Sequence, residues 1–548
     1  MEKIVTVCAD AAARRGELKH NWNYIGYDEC NYTHSPGGIE LIKKFGRLEK
    51  PYYIRAHHML CTGICHGFYK WGSTNAYIED EDGGAIYNFD VIDKMCDIWL
   101  SNNCKPFFEV GFMPLDLADP RWAADQESKR YEIKEYQRIG WNTPPKDYDK
   151  WYALIENLIS HLARRYGEAE VESWYFEMWN EPDIFYWAGT FEEYCKLYDY
   201  TEAAIHSILP GARFGGPATC GATAPDGRAA VYLKNFLLHC KNGKNYMTGE
   251  TGARLDFTSF HTKGGGYGFT VRPGREYPPS IKSFLRQVLV GCTIIKECGY
   301  GNLECVLSEA DPDGWAAGGR FDNPALNFRN TEFYASYVAS GYKGIQDLAE
   351  ELGMDIRPLA WAFMFEGERC FEGTRAFSTQ GINKAVLNVF KMLSMLGNQQ
   401  IELTSAADKN PLSFGDDWGT GEGACIGGVA ALTGAKLLQA MIFSHEDAWD
   451  DSDKSMVEFT AMNLPFSGCC RLRHYMIDSS HSNAYAEWVR QGRPDYPAGA
   501  VYEAIKARDG LELYGPERNV EPKGGKVKYE FDMQPKSVAL IVIEPAEL

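Results

Sequence analysis

A chain of 548 residues exceeds what one hydrophobic core usually organises, so two domains are expected. Its composition is that of a globular protein, 45% hydrophobic and 14% aromatic, and 56 Lys and Arg against 75 Asp and Glu leave a net charge of −19. That field repels nucleic acid and anionic membranes, no Lys/Arg-rich run overrides it, and no stretch of about 18 uninterrupted apolar residues offers a membrane span.

The N-terminus MEKIVTVCADAAARRGELKH meets acidic and basic residues too early for a secretory signal, and KIVTVCAD (3–10) reads as a strand. Sixteen cysteines without such a signal predict reduced thiols in a cytoplasmic protein. From about residue 20 a short apolar run, a polar loop and a helical segment recur. The expected strands begin with WNYIGYDE (22–29), YYIRAHHML (52–60), KPFFEVGFMP (105–114) and VESWYFEMWNEP (171–182). They continue with RFGGPATC (213–220), LDFTSFHTKG (255–264), LECVLSEADP (303–312) and PLAWAFMFEG (358–367). Between them, residues 147–167 and 190–211 carry apolar residues at helical spacing, the second opened by a Thr cap and closed by Pro-Gly.

Eight strands alternating with helices predict an α/β fold, a (β/α)₈ barrel over 20–397. An open doubly wound sheet is the alternative, but no Gly-rich phosphate turn follows the first strand. Beyond 397 the texture turns to strands such as MVEFTAMNLPF, CCRLRHYMID and KSVALIVIEP, which with residues 1–19 predict an accessory β-sandwich over 398–548. Two segments suggest metal and are read without it. CTGIC (61–65) lacks a second Cys/His pair at finger spacing, and the acidic run 445–454 lacks the Gly and terminal Glu of a calcium loop.

Residues at the C-terminal ends of barrel strands face an active site. Strand four then presents Asn180 and Glu181, strand seven Glu309, strand two His57 and His58, strand six His261 and Lys263, and strand eight Glu366. Two carboxylates from opposed strands among aromatics fit glycoside hydrolysis, one protonating the leaving oxygen while the other attacks or activates water. Glu177 lies two layers lower and reads as a buried ion-pair partner, for example of Arg55. Asn180 is placed to hold a sugar hydroxyl, and strand parity favours His57 over His58 in the pocket.

WYFEMWNEPDIFYW (174–187), with PFFEVGFMP before it and FGGPATCG after it, resembles glycoside hydrolase family 39, the β-xylosidase and α-L-iduronidase family. The likeness extends through 89–100, 143–167 and 481–497. It implies a retaining, exo-acting hydrolase of barrel and sandwich without a cofactor, with Glu181 as acid/base and Glu309 as nucleophile. A raised pKa is expected for Glu181, which must be protonated in the first step. The resemblance also implies homo-oligomers, and sugar hydroxyl ligands at His57 and His261.

The framework motifs resemble those of the β-xylosidases, whereas SFHTKGGG (259–266) and SEADPDGW (308–315) look more like the iduronidase branch. There a Lys and an Arg face a sugar carboxylate, a role that Lys263 and Arg375 match, though Lys263 could equally pair with Glu366 or another pocket carboxylate. The favoured substrate is a β-xyloside at the non-reducing end of a plant-type oligosaccharide, with a uronide or arabinoside as the alternative. A non-catalytic carbohydrate-binding protein would lack one carboxylate. An enolase-type isomerase would need metal-binding carboxylates on successive strand ends, and PATC and FMP supply none.

Overall fold

The computed structural model describes residues 3–546 apart from 64–71, 122–139, 266–277, 315–318, 322, 363–365, 374, 414–423 and 449–452. Cys65 and part of the acidic run 445–454 therefore lie outside the described residues. After β1 (Lys3–Glu17), eight parallel strands close into a barrel in sequence order. They are β2 (Tyr24–Glu29), β3 (Tyr52–His57), β4 (Cys104–Val110), β5 (Tyr175–Met178), β6 (Arg213–Thr219), β7 (Phe257–Gly265), β8 (Glu304–Asp313) and β9 (Asp355–Trp361).

The intervening helices include α1 (Pro36–Gly46), α2 (Asp90–Ser101), α3 (Tyr148–Tyr166), α4 (Phe191–Ile208), α5 (Arg228–Asn242), α6 (Ile281–Glu297), α7 (Glu332–Leu352) and α8 (Ala385–Ser394). Their starts are chemically marked. Asp147 caps α3 through the Asp149 and Lys150 amides, and Thr190 forms a full capping box with Glu193 at α4. The strands are buried on both faces, as a barrel under helices demands.

The expected strands all form, with shifted ends. The first residues of 171–182 are a short helix, Glu168–Glu172, and the eighth strand runs from Asp355 to Trp361 rather than to 367.

The accessory β domain is one curled ten-stranded sheet. It is built from β1 with β10 (Gln399–Ser405), β11 (Cys425–Thr433), β12 (Leu437–His445), β13 (Ser455–Met462), β14 (Cys470–Ile477), β15 (Glu512–Leu513), β16 (Arg518–Val520), β17 (Lys526–Met533) and β18 (Ser537–Pro545). β1 pairs antiparallel with β10 on one side and parallel with β13 on the other. Val5, Val7, Val457, Phe459, Ile541 and Ile543 belong to the apolar cluster on one face of this sheet. Its other face joins the barrel core through Met441, Phe443, Leu540 and Val542. At that seam Ser336 of α7 meets His445 Nδ1 at 2.8 Å, and the Ile281 amide that starts α6 donates to Asp447 at 3.2 Å.

Candidate active site

The site is assembled where β3, β5, β7 and β8 end. In β8 and β7 the register sets Glu309 beside His261 and Asp311 beside Lys263, after an irregularity between Leu307 and Glu309. Because side chains alternate along a strand, both pairs lie on one face. Lys263 Nζ consequently bridges Glu309 Oε2 at 2.6 Å and Asp311 Oδ2 at 2.8 Å.

β5 stops at Met178, and the chain turns sharply to present its acid. Trp179 and Glu181 both adopt left-handed backbone, with φ of 65° and 42°. Such conformations cost a non-glycine residue energy and persist only where the surroundings hold them. Here the Trp179 indole N–H donates to the Tyr186 carbonyl at 2.8 Å, and the Glu181 amide donates to Ala218 O at 2.8 Å. Glu181 Oε1 lies 2.9 Å from His261 Nδ1, which is itself 3.8 Å from Glu309 Oε2.

Beneath these groups Arg55 is fully buried. Its guanidinium reaches Glu177 at 2.5 Å, Glu109 at 2.9 Å, Asn180 Oδ1 at 3.0 Å and Glu309 at 3.4 Å. Glu177 is thus the ion-pair partner that strand parity predicts. Since Arg55 can only donate, it fixes the Asn180 carbonyl towards itself and turns the amide nitrogen to the cavity. His57 Nδ1 meets Glu109 at 2.6 Å while its Nε2 lies 3.5 Å from Glu309. His58 packs instead against Phe112 and Trp141.

A cavity of about 560 Å³ is lined by His57, Asn180, Glu181, Lys263, Glu309 and Arg375, with Asp28 among their neighbours. His261 is fully buried behind Glu181. Glu366 departs from expectation: it is not among the lining residues, and its carboxylate accepts the Gly37 amide at the start of α1. The reason is that β9 ends five positions before it, so Glu366 belongs to the following loop. A second cavity, about 610 Å³, lies at the opposite end of the barrel, where residues such as Arg15 and Glu350 already pair at 2.8 Å.

Burial pushes the Glu309 carboxyl up, but Lys263, His261 and His57 pull it well below the ordinary carboxylate range. It is therefore an anion at neutral pH. Burial also pushes Glu181 up, yet the His261 hydrogen bond and charge outweigh it and hold Glu181 below its usual value. The expected rise in Glu181 is therefore not found. For His57, burial pulls the imidazole down, while Glu109 and Glu309 raise it to about 10, so it is a cation at neutral pH.

One carboxylate oxygen each of Glu181 and Glu309 and one ring nitrogen of His261 lie within 4.8 Å of one another, a set that could hold a metal ion. Lys263 and Arg55 already place positive charge on Glu309, which disfavours a further cation there.

Sequence reasoning passed over Asp28, Glu109, Asp311, Cys220 and Arg228. Asp311 was within reach of it, being two residues from Glu309 and hence on the same strand face.

The family model of glycosyl hydrolases family 39 matches residues 10–510. A β-xylosidase of Geobacillus stearothermophilus is 32% identical over 99% of this chain and 95% of its own length. An α-L-iduronidase of Canis lupus familiaris is 31% identical over 84% of this chain and 67% of its own. A monomeric β-xylosidase from Caulobacter crescentus CB15 superposes with a TM-score of 0.76 at 22% identity, covering 99% of each chain, and shares the fold. Barrel, curled sheet and whole-length match agree: the chain is a glycosidase and belongs to glycosyl hydrolase family 39.

Proposed function

We propose that the protein is a retaining, exo-acting glycosidase that removes a β-xylosyl unit from the non-reducing end of an oligosaccharide. The observation that carries the retaining mechanism is the carboxylate spacing. Oxygens of Glu181 and Glu309 lie within 4.8 Å. Retaining enzymes hold their two carboxyls about 5–5.5 Å apart, whereas inverting ones leave room for a water at about 6.5–9.5 Å.

Glu309 attacks the anomeric carbon, and the bond to the leaving oxygen breaks as Glu181 gives that oxygen its proton. Water then loses a proton to Glu181 and displaces Glu309. The amide nitrogen of Asn180 donates to a sugar hydroxyl beside the reacting carbon, while Arg55 and His57 keep Glu309 ionised and aimed. The β-xyloside assignment is supported by the relative that matches along the whole chain.

One observation favours a uronide as a second reading. Arg375 lines the cavity, is buried, and its Nε has no hydrogen-bond partner among the described residues. It lies 3.6 Å from Asp28, and its free N–H suits an anionic sugar substituent. Lys263 is the weaker support, since two carboxylates already hold it. The described cysteines are free thiols, which supports a reducing, cytoplasmic setting, and no described helix is long and apolar enough to cross a membrane.

Aryl β-xylosides, α-L-arabinosides and uronides tested side by side decide the sugar. Glu309→Ala is expected to abolish turnover. Glu181→Ala should lose least on the best leaving group, because a stable phenolate needs no proton. A Glu309→Ala enzyme with normal turnover would overturn the assignment.

A further inference from the structure

The wall of the cavity beyond Glu181 has a chemistry that the sugar-binding side does not explain. Cys220, directly after β6, lines the cavity together with Glu181 and Arg228, and both charges act on its thiol. Arg228, the first residue of α5, lines this cavity together with the proposed proton donor. Its side chain is 63% exposed, so the guanidinium stands in the open mouth of the site.

The placement is built rather than incidental. Asp183 has a fully buried side chain and accepts the Cys220 amide at 2.9 Å through one oxygen and Arg228 Nε at 3.1 Å through the other. That bond anchors the base of the guanidinium, and among the described residues Asp183 is its only carboxylate partner. The rest of the guanidinium is exposed at the cavity. α5 has no acidic residue in its first turn and no side-chain cap, so its N-terminal partial charge adds to the same field.

A proton donor stands next to the oxygen that leaves, so the wall beside Glu181 is the leaving-group side of the bond. We propose that Arg228 makes this a subsite for an anionic leaving group, one with a carboxylate or sulfate close to the scissile oxygen. The inference rests on Glu181 as the acid and is independent of which sugar is transferred. In a protein of net charge −19, an exposed cation at the mouth is what an acidic partner needs to approach.

The test compares three aryl glycosides sharing one sugar: nitrophenyl, its carboxylated analogue and its sulfated analogue. For each, the kcat/KM ratio to the neutral compound is measured in the native enzyme and in Arg228→Gln, which cancels leaving-group reactivity. The ratio should fall about fivefold in Arg228→Gln for whichever anion the subsite takes, and further in Arg228→Glu. A fall for only one of the two names the anion. An unchanged ratio for both overturns the proposal.

Salt gives a check that needs no variant. The native ratio should decline as sodium chloride screens the guanidinium, and a flat response also overturns the proposal. If no β-xyloside turns over, the sugar assignment has failed, and the same ratios are read on the matching uronides.

Discussion

Glu181 is held between two opposed influences, and the balance decides when the enzyme works. As the proposed acid it must carry a proton to release the leaving group, yet His261 at 2.9 Å keeps that proton weakly bound. A group with a lowered pKa loses its proton at lower pH, so the descending alkaline limb of kcat/KM should begin in the acidic range. His261→Ala removes the donor and should move that limb to higher pH while lowering the maximum rate. A limb that stays in place would show that His261 does not govern the proton. Glu309 is depressed further, so its limb lies at still lower pH. The meeting of Glu181 and Glu309 was legible in the sequence because strand ends and the W-N-E-P motif mark them. The network beneath was less so: the pairing of Arg55 with Glu177 was read from the sequence, but Glu109 lies inside an apolar strand, and only barrel closure shows that it joins them.

Among the elements, β7 matters most for chemistry because it carries both His261 and Lys263. Its outer face meets α6 at Gly291, where an added Cβ would sit 2.4 Å from the Phe260 ring. Helix and strand approach this closely only because that side chain is missing. Gly291→Ala should cost about 1–3 kcal/mol of stability by overpacking and also lower kcat/KM, since Phe260 adjoins His261. Thermal unfolding and steady-state rates check this together; lost stability with full activity would mean that the helix yields and the strand does not.

The elements themselves were largely readable, as the Thr190 cap illustrates. The end of β9 was not, because PLAWAFMFEG is a nearly unbroken apolar run and periodicity cannot show where such a strand stops. That ambiguity is what put Glu366 at the cavity in the sequence reading.

At the scale of the molecule, the curled sheet depends on a strand from the far end of the chain. β1 hydrogen-bonds to β10 and to β13, joining two parts of the sheet that have no other direct pairing in its strand order. Deleting residues 1–17 should leave two open edges and a chain that aggregates, which size-exclusion chromatography would show; a monomeric product with native thermal stability would contradict this. The same topology has a consequence during synthesis. β1 leaves the ribosome before the barrel, yet its partners at 399–405 and 455–462 are made only after the whole barrel, a wait on the order of tens of seconds. Through that interval its row of amides and carbonyls has no strand to bind, and any nascent-chain binding factor would find it exposed. The barrel can finish its catalytic mouth while β1 is still waiting for neighbours.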